Sequence, residues 1–142
     1  MIDKKIVASL QADARISNAN LAKHVGLSPS ACLRRVRALE RSGVITGYRA
    51  LVNPASLGTP LTILVHIGLQ HHDDEALAAF EDAVTDSPNI LACDMISGRD
   101  DYILRVGVAD IADYERVHRV QLSKLPGVTR IESNFVLRTV TS

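Results

Sequence analysis

Four arginines, Arg34, Arg35, Arg37 and Arg41, fall within the stretch LSPSACLRRVRALERSGVITGY of a 142-residue chain whose formal net charge is zero. The guanidinium is a planar fork of donors that matches guanine O6/N7, or a phosphate, through two parallel hydrogen bonds. At about 100° per residue, Ser30, Arg34, Arg37 and Arg41 share one helical face, opposite an apolar arc of Cys32, Val36 and Leu39. Leu33 and Glu40 flank that arc on one side and Arg35 on the other. A solvated face would interleave acids for i,i+4 pairing, and only Glu40 is at hand. The chemistry on offer is recognition of duplex DNA. Arg34 and Arg37 are candidates for base edges, and Lys23, Arg35 and Arg49 for phosphates. Ser28, Ser30 and Arg41 complete the candidate DNA-binding set. Arg35, beside the apolar arc, suits a phosphate or an internal acid better than a base edge.

A second group is Gly98-Arg99-Asp100-Asp101-Tyr102. It reads as an ordinary turn or as a place where an ammonium and a carboxylate are both met, and an amino acid is the small molecule carrying both. Other constellations lead nowhere. His71-His72-Asp73-Asp74 suggests metal ligands, but adjacent side chains on a strand-to-helix connection diverge, and a polar loop with Asp73 or Asp74 capping a helix is the alternative. No nucleophile elbow, GxGxxG or P-loop occurs, so no catalytic residue is singled out and no metal or other cofactor is expected. Cys32 and Cys93 are far apart and show no CxxC spacing, as expected of reduced thiols.

Charge is distributed unevenly around these groups. Up to Val52 there are nine Lys/Arg against three Asp/Glu, and beyond it seven against thirteen, so a head of net +6 sits on a body of net −6. Such asymmetry points to a polyanion partner for the head. No run of eighteen apolar residues occurs, and the opening MIDKKIVASLQAD reads as an amphipathic helix instead of a signal peptide. The expectation is a cytoplasmic protein without a membrane span.

The positioning elements follow from periodicity. Ile2, Ile6 and Leu10 mark a first helix ending around Asp13 to Ile16. Ser17 caps a second, carrying Leu21, Ala22 and Val25 and stopping at Gly26. Ser28 caps a third with Pro29 in its first turn. Helix, glycine turn and helix make a helix-turn-helix, and VITGYRALV offers a strand for a wing. NPASLGTP, residues 53–60, is a linker by composition, so the expected domains are 1–52 and 61–142.

Beyond it the order strand, helix, strand occurs twice: LTILVHIGL, DDEALAAFEDAVTD and NILACDMIS, then YILRVGV, DIADYERVHRVQLSKL and GVTRIESNFVLRTV. The inward residues are Leu77, Phe80 and Val84 in the first helix and Ile111, Tyr114, Val117 and Leu125 in the second. Two such halves give βαββαβ, the ferredoxin-like arrangement, in an α+β chain with both helices on one sheet face. Leu64 and its neighbours on the other face then call for burial by a second copy, a homodimer.

These motifs, in this order, resemble the Lrp/AsnC (leucine-responsive regulatory protein) family, and the Lrp branch of it most. The resemblance rests on LAKHVGLSPSACLRRVRALERSGVITGYRALVNP, on SGRDDY at the position of the family's glycine-x-x-aspartate-tyrosine hairpin, and on LPGV before the last strand. It covers nearly the whole chain. It implies a transcription regulator whose dimers assemble into octamers or other rings. It also implies an amino-acid effector bound between dimers near Gly98, Arg99, Asp100, Asp101 and Tyr102, leucine first and another apolar or sulfur-bearing amino acid second. Ala14 departs from the glycine common at that turn, and Asn134-Phe135 depart from residue types associated with leucine response, which leaves the effector open. The alternatives are an enzyme like the sirohaem decarboxylases, which resemble the same family in both domains, and a non-specific nucleoid-type DNA binder. His66, His71, His72 and His118 could surround a tetrapyrrole, but that chemistry gives no reason to keep an arginine-rich recognition face.

Overall fold

The computed structural model describes residues 1–141, and the chain divides into two compact units at Leu51/Val52. In the first unit α1 (Ile2–Ala12), α2 (Asn18–Val25) and α3 (Pro29–Arg41) bury Ile6, Leu21, Ala22, Val25, Cys32 and Leu39 as one cluster. Each start and stop has a local cause. The Ser17 hydroxyl accepts from the Asn20 N–H at 3.2 Å, and Gly26 takes the left-handed conformation (φ 72°) that closes α2. The Ser28 hydroxyl accepts from the Ala31 N–H at 3.3 Å, and Pro29 opens α3 where no N–H is needed.

The segment after α3 departs from expectation. Among the described residues, 44–52 form no strand, although VITGYRALV is composed as one. A strand needs a neighbour to receive its hydrogen bonds, and the first unit supplies none. The start of the segment is fastened to the helix end instead, where the Ile45 N–H donates to the Leu39 carbonyl at 3.1 Å. Residues 53–60 are more ordered than a linker composition suggests. Asn53 caps a 3-10 turn at Pro54–Leu57 by accepting from the Ala55 N–H at 3.0 Å.

In the second unit the order is β1 (Leu61–Leu69), α4 (Asp74–Thr85), β2 (Ile90–Met95), β3 (Tyr102–Val108), α5 (Ile111–Val120) and β4 (Val128–Phe135). The strands form one antiparallel sheet ordered β2-β3-β1-β4, the ferredoxin-like arrangement. Paired residues share a face. Ile63, Val65 and Ile67 of β1 therefore line up with Val106, Leu104 and Tyr102 of β3, and all six are at most 1% exposed. Phe80 and Val84 of α4 and Tyr114 and Val117 of α5 complete this core, each fully buried aliphatic side chain contributing on the order of 1.5–3 kcal/mol.

Two further expectations need correction. Ile111 is 71% exposed, because as the first residue after the Asp110 cap it stands outside the packed layer. Leu122 of the 3-10 turn that follows α5, not singled out by the helical spacing, is fully buried in that core. The sheet face away from the helices is also less bare and less apolar than expected. It presents Leu64 and Ile103 among His66, Arg105, Arg130 and Glu132, and one end is partly covered, since a Cβ at Gly107 would stand 3.0 Å from Leu91 and 3.4 Å from Thr59.

Candidate nucleic-acid interface and effector hairpin

The presentation of α3 is set by its neighbours. The Asn18 side-chain amide donates to the Pro29 carbonyl at 2.8 Å, tying the start of α2 to the start of α3, while Cys32 and Leu39 anchor the buried side. The opposite side is free. Ser30, Arg34, Arg37 and Arg41 are exposed, as are Lys23 on α2 and Arg49 beyond α3. None of these cations lies within ion-pairing distance of an acid among the described residues. The acids of this unit are engaged elsewhere: Asp13 accepts from the Arg15 N–H at 2.8 Å, and Glu40 accepts from the Tyr48 hydroxyl at 2.9 Å. That Glu40–Tyr48 bond fastens the segment carrying Arg49, a role the sequence did not reveal.

Two candidates are differently placed from their companions. Ser28 spends its hydroxyl on the helix cap, with Ser30 3.4 Å away. Arg35 donates through Nη1 to Asp3 of α1 at 2.8 Å, so of its two expected partners the internal acid is the one it meets. Guanidinium and carboxylate are both about half exposed, at 45% and 49%.

The hairpin of residues 96–101 links β2 to β3, with the Ile96 N–H donating to the Asp101 carbonyl at 2.9 Å. Gly98 has φ +114°, a conformation that side chains rarely adopt, so this position requires glycine. The two acids face different anchors. Asp100 Oδ1 accepts from Arg130 Nη2 at 2.6 Å, and Oδ2 lies 3.0 Å from His66 Nδ1. Asp101 Oδ2 accepts from the Leu69 N–H at 2.7 Å, and Oδ1 lies 2.9 Å from His72 Nε2. The Arg130 guanidinium holds the Asp100 carboxyl below the usual carboxylate range against the opposing effect of burial, with His66 acting in the same direction. The Leu69 N–H does the same for Asp101, helped by His72. Both acids stay ionised at neutral pH.

Arg130 also donates to the Arg99 carbonyl at 2.9 Å, while the Arg99 side chain is exposed. Gly68 gives Arg130 its room, because a Cβ there would stand 3.1 Å from Arg130 Cζ. Tyr102 does not belong to the hairpin surface. Its ring is 1% exposed and packs on Phe80 with centroids 4.6 Å apart, and its hydroxyl donates to Glu81 at 2.6 Å. The period of two along β3 turns Tyr102 toward the helices. Spacing in sequence does not point to His66, Gly68 and Arg130 beside the hairpin, where strand register places them, nor to His72, which reaches Asp101 from the connection after β1. Asp73 caps α4 by accepting from the Ala76 N–H at 3.0 Å.

Comparison with known proteins bears on both units. Residues 2–46 match a winged helix-turn-helix DNA-binding model, and residues 62–142 match the Lrp/AsnC ligand binding domain. An uncharacterised HTH-type transcriptional regulator of Sinorhizobium fredii is 47% identical over 116 residues, covering 82% of this chain and 91% of that one. The leucine-responsive regulatory protein of Haemophilus influenzae is 42% identical over 139 residues, 98% of this chain and 84% of its own. Among solved structures, a transcriptional regulator of Neisseria meningitidis in complex with L-Met superposes with a TM-score of 0.93 at 31% identity, covering 99% of this chain and 91% of that one.

Proposed function

Since the chain belongs to the Lrp/AsnC family of transcriptional regulators, we propose that Arg34 and Arg37 read base edges in the major groove while Lys23, Arg41 and Arg49 hold phosphates. Ser30 lies beside them at the N-terminal end of α3. One observation carries the reading: a helix buried on one side presents three arginines on the other, with no acid among the described residues within ion-pairing distance of them. The protein acts on DNA in the cytoplasm and is not an enzyme, in keeping with relatives that are transcription regulators. No helix among the described residues is long and apolar enough to cross a membrane.

The hairpin is the effector site. Asp100 or Asp101, both ionised, meets the ammonium of an amino acid, and Arg99 or nearby backbone N–H groups meet its carboxylate. Gly98 permits close approach of the backbone. Leucine is the first candidate and a sulfur-bearing amino acid the second, the latter supported by the L-Met complex of the similar Neisseria regulator. Two copies pair through the sheet faces bearing Leu64, and dimers assemble into octamers or other rings with the hairpin between dimers. A ligand that binds one assembly more tightly than another then changes how the DNA-binding heads are spaced.

Footprinting upstream of the protein's own gene tests the first part. Protection of a defined pseudo-palindrome that survives competitor DNA is expected. Uniform coverage that competitor abolishes would identify a non-specific nucleoid-type binder instead.

A further inference from the structure

The four α3 arginines are alike in sequence and unlike in surroundings. Among the described residues no acid lies within ion-pairing distance of Arg34, Arg37 or Arg41, whereas Arg35 is held by Asp3 at 2.8 Å. The two residues are well placed for this. Asp3 lies one turn before Ile6 and Arg35 one turn after Cys32, and Ile6 and Cys32 belong to the same buried cluster. The core between α1 and α3 therefore fixes both backbone positions, which lowers the entropy lost in closing the pair. We propose that Asp3 is a specificity-determining residue for DNA binding, which withholds Arg35 from the phosphate backbone and so trims the sequence-blind part of the affinity.

The physical argument is one of exchange. A phosphate could replace Asp3 as the acceptor, but Arg35 would then give up an ion pair it already has, and an unpaired Asp3 carboxylate would be left close to a strongly negative helix. The net gain is small. A free cation in the same place would neutralise one phosphate and release its condensed counterion regardless of sequence. Arg35 is thus kept for the packing of α3 against α1, and the cations that grip DNA are Lys23, Arg34, Arg37, Arg41 and Arg49. The proposal rests on α3 being the helix that faces DNA.

Its test is the salt dependence of binding to a duplex of arbitrary sequence, measured between about 50 and 200 mM salt. The proteins are wild type, Asp3→Asn, Arg35→Ala and the double variant, each checked for a native melting transition, with Asp3→Ser and Arg35→Gln as substitutes should either fail to fold. Asp3→Asn is expected to steepen the slope of log K against log[salt] by about 0.9, roughly a 3.5-fold larger loss of affinity over that range. The double variant, which removes the pair without changing net charge, should return to the wild-type slope, whereas Arg35→Ala leaves Asp3 unpaired and should bind more weakly than wild type. A double variant flatter than wild type by about 0.9 would show that Arg35 already holds a phosphate and would overturn the proposal. An unchanged Asp3→Asn slope would overturn it too, as would a double variant that stays steep, which would trace the effect to the lost acid alone. Failure of the underlying reading looks different: an Arg34→Ala, Arg37→Ala protein would then bind as tightly as wild type.

Discussion

The carboxylate of Asp100 meets the guanidinium of Arg130 at 2.6 Å, so the hairpin between β2 and β3 is tied to β4 on the far side of β1. Asp101 adds a second tie through the Leu69 N–H of β1. Both carboxyls titrate below their ordinary 3.8, Asp100 chiefly through Arg130 and Asp101 chiefly through Leu69. A depressed folded-state pKa contributes stability that is fully present above the unfolded value and lost as pH falls through the folded one. The second unit should therefore lose thermal stability below about pH 4. An Asp100→Asn, Asp101→Asn variant, less stable at neutral pH, should converge on wild type in acid. Melting curves from pH 6 down to about 2 check this, and parallel wild-type and variant profiles would refute it.

Base-reading and phosphate-holding cations are expected to separate in binding assays. Arg34→Ala or Arg37→Ala should cost about 1–3 kcal/mol on an operator and relax sequence preference. Lys23→Ala or Arg49→Ala should weaken all sequences alike and flatten the salt slope by about one unit. Operator affinity that survives the double Arg34→Ala, Arg37→Ala change would mean that this helix face is not in the groove.

The thiols should resist alkylation for a physical reason. Burial pushes the Cys93 thiol up to about 11, with Asp94 and Glu81 adding repulsion of the thiolate. At pH 8 only about one molecule in a thousand then carries the reactive thiolate, and Cys32, with no exposed surface, should label only on unfolding. Iodoacetamide labelling of the native protein should accelerate about tenfold per pH unit from 8 to 10. Labelling at the rate of a free thiol would contradict this burial.

Much of this molecule is legible in its sequence because local rules act alone there. Ser17, Gly26, Ser28 and Pro29 mark helix ends through bonds to their own neighbours, and alternation along LTILVHIGL gives β1 its inner face. Legibility ends where two distant segments must meet. Arg130 reaches Asp100 only because β4 pairs with β1 in a register that sets Arg130 opposite Gly68. Tyr102 closes the hairpin motif in sequence, yet the strand period sends its ring into the core. The segment at residues 44–52 has the composition of a strand, with Val44, Ile45, Thr46, Tyr48 and Val52, but pairs with no neighbour and forms none.

The sheet face away from the helices should mediate self-association. Leu64 and Ile103 lie on it beside Arg105 and Glu132, a mixture that suits an interface more than a core. The segment from Pro60 onward should sediment as a dimer at micromolar concentration, and Leu64→Glu should shift it toward monomer. A wild-type segment that stays monomeric would refute the pairing.

The effector hypothesis needs a variant that removes charge without releasing the hairpin. Asp101→Ala removes both, since its carboxylate also accepts the Leu69 N–H at 2.7 Å. Asp101→Asn keeps an amide oxygen for that N–H and loses only the negative charge, and Asp100→Asn does the same beside Arg130. Calorimetry of the wild type with all twenty amino acids should find one apolar or sulfur-bearing ligand, leucine or methionine foremost. If either acid meets the ammonium, its Asn variant should lose about 1.5–3 kcal/mol of binding, a charge-assisted hydrogen bond, while its melting temperature at neutral pH falls only slightly. Asp101→Ala should lose binding and hairpin stability together. No binding by any amino acid, or binding indifferent to all three substitutions, would leave the hairpin a turn that Arg130 and Leu69 merely hold in place.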